Sequence, residues 1–435
     1  MKYPRVLIIT SAAFNKVTGG GITSTNLFRG WPADSIAVVH NDPVPTSDEV
    51  CQRYYHLGNE EIALALPLAR IGHAPSSGDA APLAPAGAAS LTGRAKRLIF
   101  GDGVPRRGRL TPKLDRWISD FQPTLVYTIL GANPMMEIVD AVRLRFGLPV
   151  VVHMMDDWPS TIYRGGLLSP LENRRMRTLL RRLLGAAACR MAIGDTMARA
   201  YEQRYGMPFV AFQNPVEIES PTGSATPATA GGAARLVYSG SLFADAQAES
   251  LIETAQAVAR LANNGRRIHL DIYAPAFQVA KFLSRLAIHK AISVHGPLTK
   301  DSAFFSTLGA ATILVLPVNF DAHSVAFIRY SMPTKVPAYL FSGTPILVYG
   351  PPTVAQVDYA ATEGWGLVVP DQGVDGLSAA IERLIDDQPL RERLVATARR
   401  VARQNHSASE VRPKFQAALA AAAHVRNEGI KFGAE

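Results

Sequence analysis

The alternation of short apolar runs with longer helical segments is the feature that most restricts the fold of this chain. The apolar runs cover residues 5–10, 35–39, 125–129, 150–153 and 191–193, and then 236–239, 269–273, 292–295, 312–316, 345–348 and 366–369. Strands that alternate with helices predict βαβ units and a parallel sheet. The runs are almost uninterrupted, which is typical of strands covered on both faces. The sequence therefore predicts an α/β protein.

Two segments rich in Ala, Pro, Gly, Ser and Thr interrupt this pattern, at residues 74–93 and 218–234. The second lies at mid-chain and indicates a linker between domains or a loop beside one. A chain of 435 residues is long enough for two or three domains. We expect two Rossmann-like, doubly wound domains over residues 1–215 and 216–405, followed by a C-terminal helical segment, 406–435.

Composition narrows the class of protein. The chain has only Cys51 and Cys189, too few for a disulfide framework, and no run approaches the ~20 apolar residues of a spanning helix. These features predict a soluble, cytoplasmic protein. The formal net charge of +9 fits an anionic partner: nucleic acid, a membrane surface or a phosphorylated small molecule.

The cations are concentrated in two stretches of the first half, residues 91–117 and 172–190. In the second stretch Arg and Leu alternate at helical spacing, which favours a helix resting on an anionic membrane. The alternative is an ordinary solvated face above a core seam. Aromatic residues are sparse there, so we expect no nucleic-acid binding.

Two candidate sites follow strands of the first half. Gly19, Gly20 and Gly21 form a glycine-rich loop before a short helix predicted from Thr23, where free amides can attract phosphate oxygens; the alternative is a plain tight turn. His153 stands at the end of a strand, where a neutral imidazole can hydrogen-bond a sugar hydroxyl. For the nearby Asp157 we favour a capping role.

The densest candidate site lies in the second half. Arg329 and Lys335 flank the run Ser331, Met332, Pro333 and Thr334, which precedes a predicted helix. Thr334 either caps that helix or points its hydroxyl outward. Two cations at a helix N-terminus that already carries partial positive charge indicate an anion, and a diphosphate suits this set. We see no metal-ligand spacing and expect neither a metal nor a cofactor.

With these motifs in order, the chain resembles the retaining, family 4 glycosyltransferases (glycosyltransferase group 1). The elements that carry the resemblance are Gly19–Gly21, the run 213–217, the strand and glycine loop through Gly240 and Ser241, His295 and Gly296, and the run 333–345 that includes Tyr339. The resemblance implies the GT-B fold, in which two Rossmann-like domains face a deep cleft and a C-terminal helix crosses back to the first domain.

By this resemblance the donor is a nucleotide-diphosphate sugar, with its base near Gly296 and Pro297 and its diphosphate over residues 331–335. His153 contacts the transferred sugar. The implied activity moves the sugar to a saccharide or lipid-linked saccharide acceptor in cell-surface polysaccharide synthesis, with retention. The protein would be cytoplasmic, with a possible peripheral contact at the inner membrane face.

The chain departs from the family pattern at four positions. Tyr330 and Ala338 stand where the family has two glutamates, and Ser241 and Ala246 stand where it has an Arg and a Lys on the diphosphate. Our hypothesis is that Arg329 and Lys335 replace these cations. The missing glutamates leave open a catalytically silent subunit that binds a sugar nucleotide or glycan. A second alternative is a nucleotide-sugar isomerase, which would need acid/base carboxylates, for which Asp156 and Asp157 are the candidates.

Overall fold

The computed structural model describes residues 3–65, 100–101, 104–217, 232–298 and 300–425. The predicted insertion at 74–93 and most of the predicted linker at 218–234 lie outside these residues. The chain divides into two compact units, one formed by residues 1–214 with 412–435 and the other by residues 215–411. The sequence-based boundaries were 215 and 405.

A parallel sheet of seven strands forms the centre of the first unit, in the order β3-β2-β1-β6-β7-β8-β9. Its strands are β1 (Val6–Thr10), β2 (Ile36–His40), β3 (Tyr54–His56), β6 (Leu125–Ile129), β7 (Val150–Met154), β8 (Cys189–Ala192) and β9 (Val210–Ala211). The short strands β4 (Ile62–Leu64) and β5 (Arg106–Gly108) form a separate antiparallel pair. All residues of β1, β2 and β7 are buried, because helices cover both faces of the sheet.

In the described part of this unit, the helices between the strands are α1 (Gly19–Phe28), α2 (Pro112–Phe121), α3 (Asn133–Phe146), α4 (Ser169–Ala186) and α5 (Asp195–Tyr205). Their ends follow local chemistry. Thr111 caps α2 by accepting from the Leu114 amide at 3.2 Å, and Gly147 ends α3 with a φ of 62°.

The last helix, α15 (Ala408–His424), belongs to the first unit from Arg412 onward, as the resemblance implied. Phe415 is fully buried, and its ring packs edge-on against Phe28 at 5.1 Å and Tyr127 at 5.8 Å between centroids. Edge-to-face aromatic packing of this kind adds to the apolar burial that holds the helix in place.

The second unit contains a parallel sheet in the order β12-β11-β10-β13-β14-β15. The strands are β10 (Ala234–Ser239), β11 (Ile268–Tyr273), β12 (Ile292–His295), β13 (Ile313–Pro317), β14 (Ile346–Tyr349) and β15 (Leu367–Val369). This is the doubly wound order, in which the chain direction across the sheet reverses between β10 and β13. The fold class predicted from the sequence is confirmed in both units.

The helices of this unit are α6 (Ala248–Asn263), α7 (Ala276–Val279), α8 (Leu283–Leu286), α9 (Asp301–Gly309), α10 (Ala322–Ile328), α11 (Lys335–Phe341), α12 (Ala355–Glu363), α13 (Val374–Asp386) and α14 (Gln388–His406). Apolar clusters form on both faces of the sheet. One joins the sheet to α6 and α13, and the other joins it to α11, α12 and α14.

Candidate active site

The carboxyl end of β10 is where a ligand is expected, because open α/β sheets bind ligands where the strand order reverses. Gly240 follows this strand with a φ of 144°, a conformation that side-chain-bearing residues rarely adopt. The Gly240 amide donates to the carbonyl of Tyr273 on β11 at 3.0 Å. The strand thus ends in a glycine turn at the reversal point.

The loop that follows Gly240 is fixed by side chains from three directions. The Ser241 carbonyl accepts from Gln247 Nε2 at 2.6 Å and from the hydroxyl of Tyr238. The Leu242 amide donates to Gln278 Oε1 at 2.8 Å. These bonds hold the loop in one conformation.

Asn319, which sequence reasoning missed, holds the far end of the same loop. It is completely buried, and its Nδ2 donates to the Ala244 carbonyl at 2.8 Å. Its backbone amide donates to the Ala246 carbonyl at 2.8 Å, while its Oδ1 accepts from the Ser250 amide. A buried amide side chain with these bonds is a positioning residue, and its place just after the β13 apolar run was the available signal.

Lys335 brings a cation to this turn. Its Nζ lies 4.0 Å from the centre of the Tyr238 ring, and a Cβ built on Gly240 would be 2.9 Å from that Nζ. Among the described residues, no carboxylate forms an ion pair with Lys335. Burial lowers the pKa of Lys335 to about 7.

Tyr339 lies one turn after Lys335 on α11 and is fully buried. Its hydroxyl accepts from the Ser239 amide at 3.0 Å, so it fixes the end of β10. The structure therefore gives Tyr339, predicted to contact the donor, a positioning role in the same site. Its hydroxyl holds α11, and with it Lys335, against the glycine turn.

The residues before α11 differ in part from the prediction. Thr334 has helical dihedrals and forms no side-chain cap hydrogen bond, so of its two predicted roles capping is wrong. Ser331, Met332 and Pro333 are partly buried ahead of this helix, and Arg329 is exposed at the end of α10. Within the described part of the chain Arg329 forms no ion pair, so its guanidinium is not neutralised by an acidic side chain.

His295, at the carboxyl end of β12, lies in a polar cluster. Its Nε2 is 2.8 Å from Asp271 Oδ1, and its ring stacks on Tyr273 with centroids 4.7 Å apart. The next residues, Gly296 and Pro297, are exposed, and a Cβ added to Gly296 would meet nothing within 4 Å. This end of the sheet is open to a ligand.

The glycine run of the first unit has a different conformation from the one expected. Gly19, Gly20 and Gly21 form the first turn of α1, which begins at Gly19 and not at Thr23. The reason is the Thr18 hydroxyl, which accepts from the Gly21 amide at 3.2 Å and caps the helix. A Cβ at Gly21 would approach Asn15 within 2.3 Å, so this glycine is needed for packing.

His153 lies in the core of the first unit and is completely buried. Its Nδ1 is 2.6 Å from the Tyr127 hydroxyl, and burial lowers the pKa of the imidazole to about 4. The predicted contact with a sugar would require this buried ring to become accessible. Burial of a histidine at a strand end follows from the tertiary packing and not from its place in the sequence.

Asp157 pairs with one arginine and one tyrosine and does not cap, so the capping prediction is wrong. The carboxylate accepts from Arg204 at 2.7 and 3.1 Å and from the Tyr201 hydroxyl at 2.7 Å. It forms no cap hydrogen bond to the turn at Trp158–Ser160 that follows it. A bidentate pair with Arg is stronger than a neutral cap bond, which accounts for the difference.

The described residues contain no cluster of three His, Cys, Asp or Glu side chains arranged to hold a metal ion. None of their helices combines the length and apolar character needed to cross a bilayer.

Solved structures define the class of this fold. WaaG, a glycosyltransferase involved in lipopolysaccharide biosynthesis, is 13% identical with a TM-score of 0.57, over 98% of this chain and 100% of that one. HepE from Anabaena, solved with UDP, is 11% identical with a TM-score of 0.62, over 96% and 99%. Trehalose 6-phosphate synthase from Burkholderia multivorans is 14% identical with a TM-score of 0.60, over 97% and 99%. These likenesses establish the GT-B fold.

The family comparison gives the activity class. Residues 63–212 match the family model described as a glycosyl transferase 4-like domain. No curated protein matches the chain at a significant level. The protein is a glycosyltransferase with the GT-B fold, and its residues 63–212 are similar to the glycosyl transferase 4-like domain, as the sequence resemblance indicated.

Proposed function

We propose that the protein transfers a sugar, with retention, from a nucleoside-diphosphate sugar to a saccharide or lipid-linked saccharide in cell-surface polysaccharide synthesis. The observation that carries the donor assignment is Lys335. Lys335 has no acidic partner among the described residues. Removing its ammonium from water costs free energy unless a bound anion pairs with it. Lys335 stands beside the glycine turn of β10, where backbone can approach a diphosphate closely.

In the proposed reaction the bond between the anomeric carbon and the diphosphate oxygen breaks, and the acceptor hydroxyl forms the new glycosidic bond. The products are the glycoside, the nucleoside diphosphate and a proton. Negative charge grows on the leaving phosphate as its bond breaks. The Lys335 ammonium, with Arg329 as the second cation, stabilises that charge more in the transition state than in the bound donor.

Several features of the relatives support this proposal. One GT-B structure of similar fold contains UDP, and another belongs to lipopolysaccharide biosynthesis. The test is incubation with UDP-, GDP-, ADP- and CDP-sugars, without added acceptor. Slow release of the nucleoside diphosphate supports a transferase. Interconversion of the sugars would indicate the isomerase, and binding without turnover would indicate the silent subunit.

The affinity for nucleoside diphosphate is expected to fall about fivefold from pH 7 to pH 8 and about tenfold for each further pH unit. The reason is that Lys335, with a pKa of about 7 in the free protein, must take up a proton to pair with the anion. Calorimetry at pH 7 and 8 in buffers of different ionisation heat should show uptake of about half and then nearly one proton. Lys335→Met should abolish the uptake; proton uptake that persists in this variant contradicts the assignment.

We also propose a peripheral contact with anionic membrane through α4. Leu167 and Leu171 near its start are 73% and 65% exposed. Arg174, Arg177 and Arg181 are exposed along the helix, and none forms an ion pair with a described residue. Exposed leucines beside unneutralised cations match the two forces, apolar burial and charge attraction, that hold a protein on such a surface.

Flotation with anionic and neutral vesicles tests this contact. We expect anionic vesicles to carry the protein, and Arg177→Glu with Arg181→Glu to remove most of the binding, since each Arg near the surface contributes about 1 kcal/mol. Arg393→Glu with Arg400→Glu makes the same charge change on α14 and is the control. Equal losses from both double variants would point to net charge alone and reject the α4 surface.

A further inference from the structure

Hydrogen bonds join a cluster of polar side chains on β10, β11 and β12, and they determine which atoms of the cluster carry a proton. Asp271 is its centre: Oδ2 accepts from Arg235 Nε at 2.6 Å, and Oδ1 lies 2.8 Å from His295 Nε2. Burial acts to raise the pKa of Asp271, but the hydrogen bonds from Arg235 and His295 outweigh it and hold the pKa below its usual value. The carboxyl group is therefore an ionised acceptor.

An ionised carboxylate has no proton to give, so His295 must carry its proton on Nε2 and donate it to Asp271. In the neutral ring, Nδ1 is then a hydrogen-bond acceptor. The imidazole is held in place by the stack on Tyr273, whose hydroxyl accepts from Arg235 at 3.0 Å. His295 itself is exposed, at the open carboxyl end of its strand.

The position of this acceptor matches one part of a nucleotide. β10 and β12 are separated by β11 alone, so their carboxyl ends are about 10 Å apart. In doubly wound sheets a bound nucleotide runs outward from the reversal point, with the ribose beyond the diphosphate. With a diphosphate beside Lys335 and Gly240, the nucleobase of such a nucleotide would lie near the end of β12.

We infer that His295 Nδ1 accepts a hydrogen bond from the nucleobase and selects bases with a ring N–H. Uracil and guanine carry this ring N–H on the edge that pairs with another base. At the same place cytosine and adenine have a ring nitrogen without hydrogen, which is an acceptor. An acceptor facing an acceptor leaves both unpaired, and sites of this kind reject the wrong partner strongly. This inference rests on the proposed function, because it requires a nucleotide donor.

Calorimetry at pH 8 with UDP, CDP, GDP and ADP tests the selection with matched ring sizes. We expect UDP to bind about tenfold or more tightly than CDP, and GDP likewise than ADP. His295→Ala should bring each pair to within about twofold. His269→Ala is the control, because His269 lies 3.5 Å from the same Asp271 oxygen but is placed outside the proposed base contact; it should keep the selection.

Asp271→Asn gives a sharper result. Its side-chain oxygen would still accept from Arg235, which leaves the new NH₂ facing His295 and forces the imidazole proton onto Nδ1. The selection should then invert, with CDP above UDP and ADP above GDP. A merely structural role of Asp271 would weaken all four equally.

The outcomes separate the two proposals. Wild-type selection for UDP and GDP, lost or inverted in the variants, supports the inference. Equal or tighter binding of CDP and ADP by the wild-type protein overturns it and leaves the nucleotide site in place. Absence of binding by all four overturns both proposals. If Asp271→Asn fails to fold, His295→Ala alone decides the inference, since unchanged selection in that variant rejects it.

Discussion

Lys335→Met is expected to weaken nucleoside-diphosphate binding about a hundredfold at pH 7 and at the same time to raise the melting temperature by a few degrees. The loss of affinity follows from removing the cation that faces the diphosphate beside Gly240. Methionine fills nearly the same volume and keeps the apolar contact with the Tyr238 ring. The two effects are measured by calorimetry and by thermal unfolding of the ligand-free protein.

The stability gain follows from the proton balance. In the folded protein the pKa of Lys335 is lowered to about 7, whereas the unfolded chain keeps its proton to about pH 10. The unfolded state therefore binds more protons between these values, and the folded state is disfavoured by the buried charge below pH 7. Removing the charge should stabilise the protein by about 1–3 kcal/mol, and the gain should shrink as the pH rises.

Lys281→Met is the matched control, because Lys281 is exposed and forms no ion pair with a described residue. It should change neither affinity nor melting temperature appreciably. Lys335→Met with unchanged affinity would remove the basis of the donor assignment. A lower melting temperature in that variant would show that Lys335 stabilises the fold and is not held there at a cost.

The fold was predictable from the sequence because strand and helix periods are local. The runs at 236–239 and 292–295 became β10 and β12. The GT-B architecture was implied by the family resemblance, which depended on the order of the motifs along the chain. Side-chain roles depended on tertiary contacts that no local pattern specifies. His153 was placed on the right strand, but its complete burial against Tyr127 is a property of the packed unit.

In the candidate site, too, the sequence indicated individual residues, whereas the contacts between them depend on the tertiary structure. Lys335 and Gly240 were both singled out from the sequence, yet their closeness is set by Tyr339, whose hydroxyl bonds to Ser239 a hundred positions away. Asn319 and Asp271 were missed because neither belongs to a motif. Each acts through hydrogen bonds to segments distant in sequence, so only the structure reveals them.

Gly240→Ala is expected to reduce nucleoside-diphosphate affinity about as far as Lys335→Met does, but with the opposite effect on stability. A Cβ at this position would lie 2.9 Å from Lys335 Nζ, and the flexible ammonium would have to leave its place over Tyr238. The φ of 144° is also strained for alanine, which costs about 1–3 kcal/mol. The melting temperature should therefore fall.

Gly376→Ala is the control for this substitution. Gly376 lies within α13, and a Cβ added there meets nothing within 4 Å. Alanine is favoured over glycine inside a helix, so this variant should be stabilised by up to about 1 kcal/mol and bind nucleotide normally. Comparing the two variants distinguishes the general effect of replacing a glycine by alanine from the particular effect of replacing Gly240.

The double variant Gly240→Ala with Lys335→Met decides whether the two residues act through one interaction. If Gly240 serves chiefly to leave room for the ammonium, the double variant should bind no more weakly than Lys335→Met alone, and the two affinity losses will not add. Fully additive losses would mean that the turn contributes separately, through backbone contact with the ligand. In that case the diphosphate rests on the turn itself, and Lys335 supplies only part of its recognition.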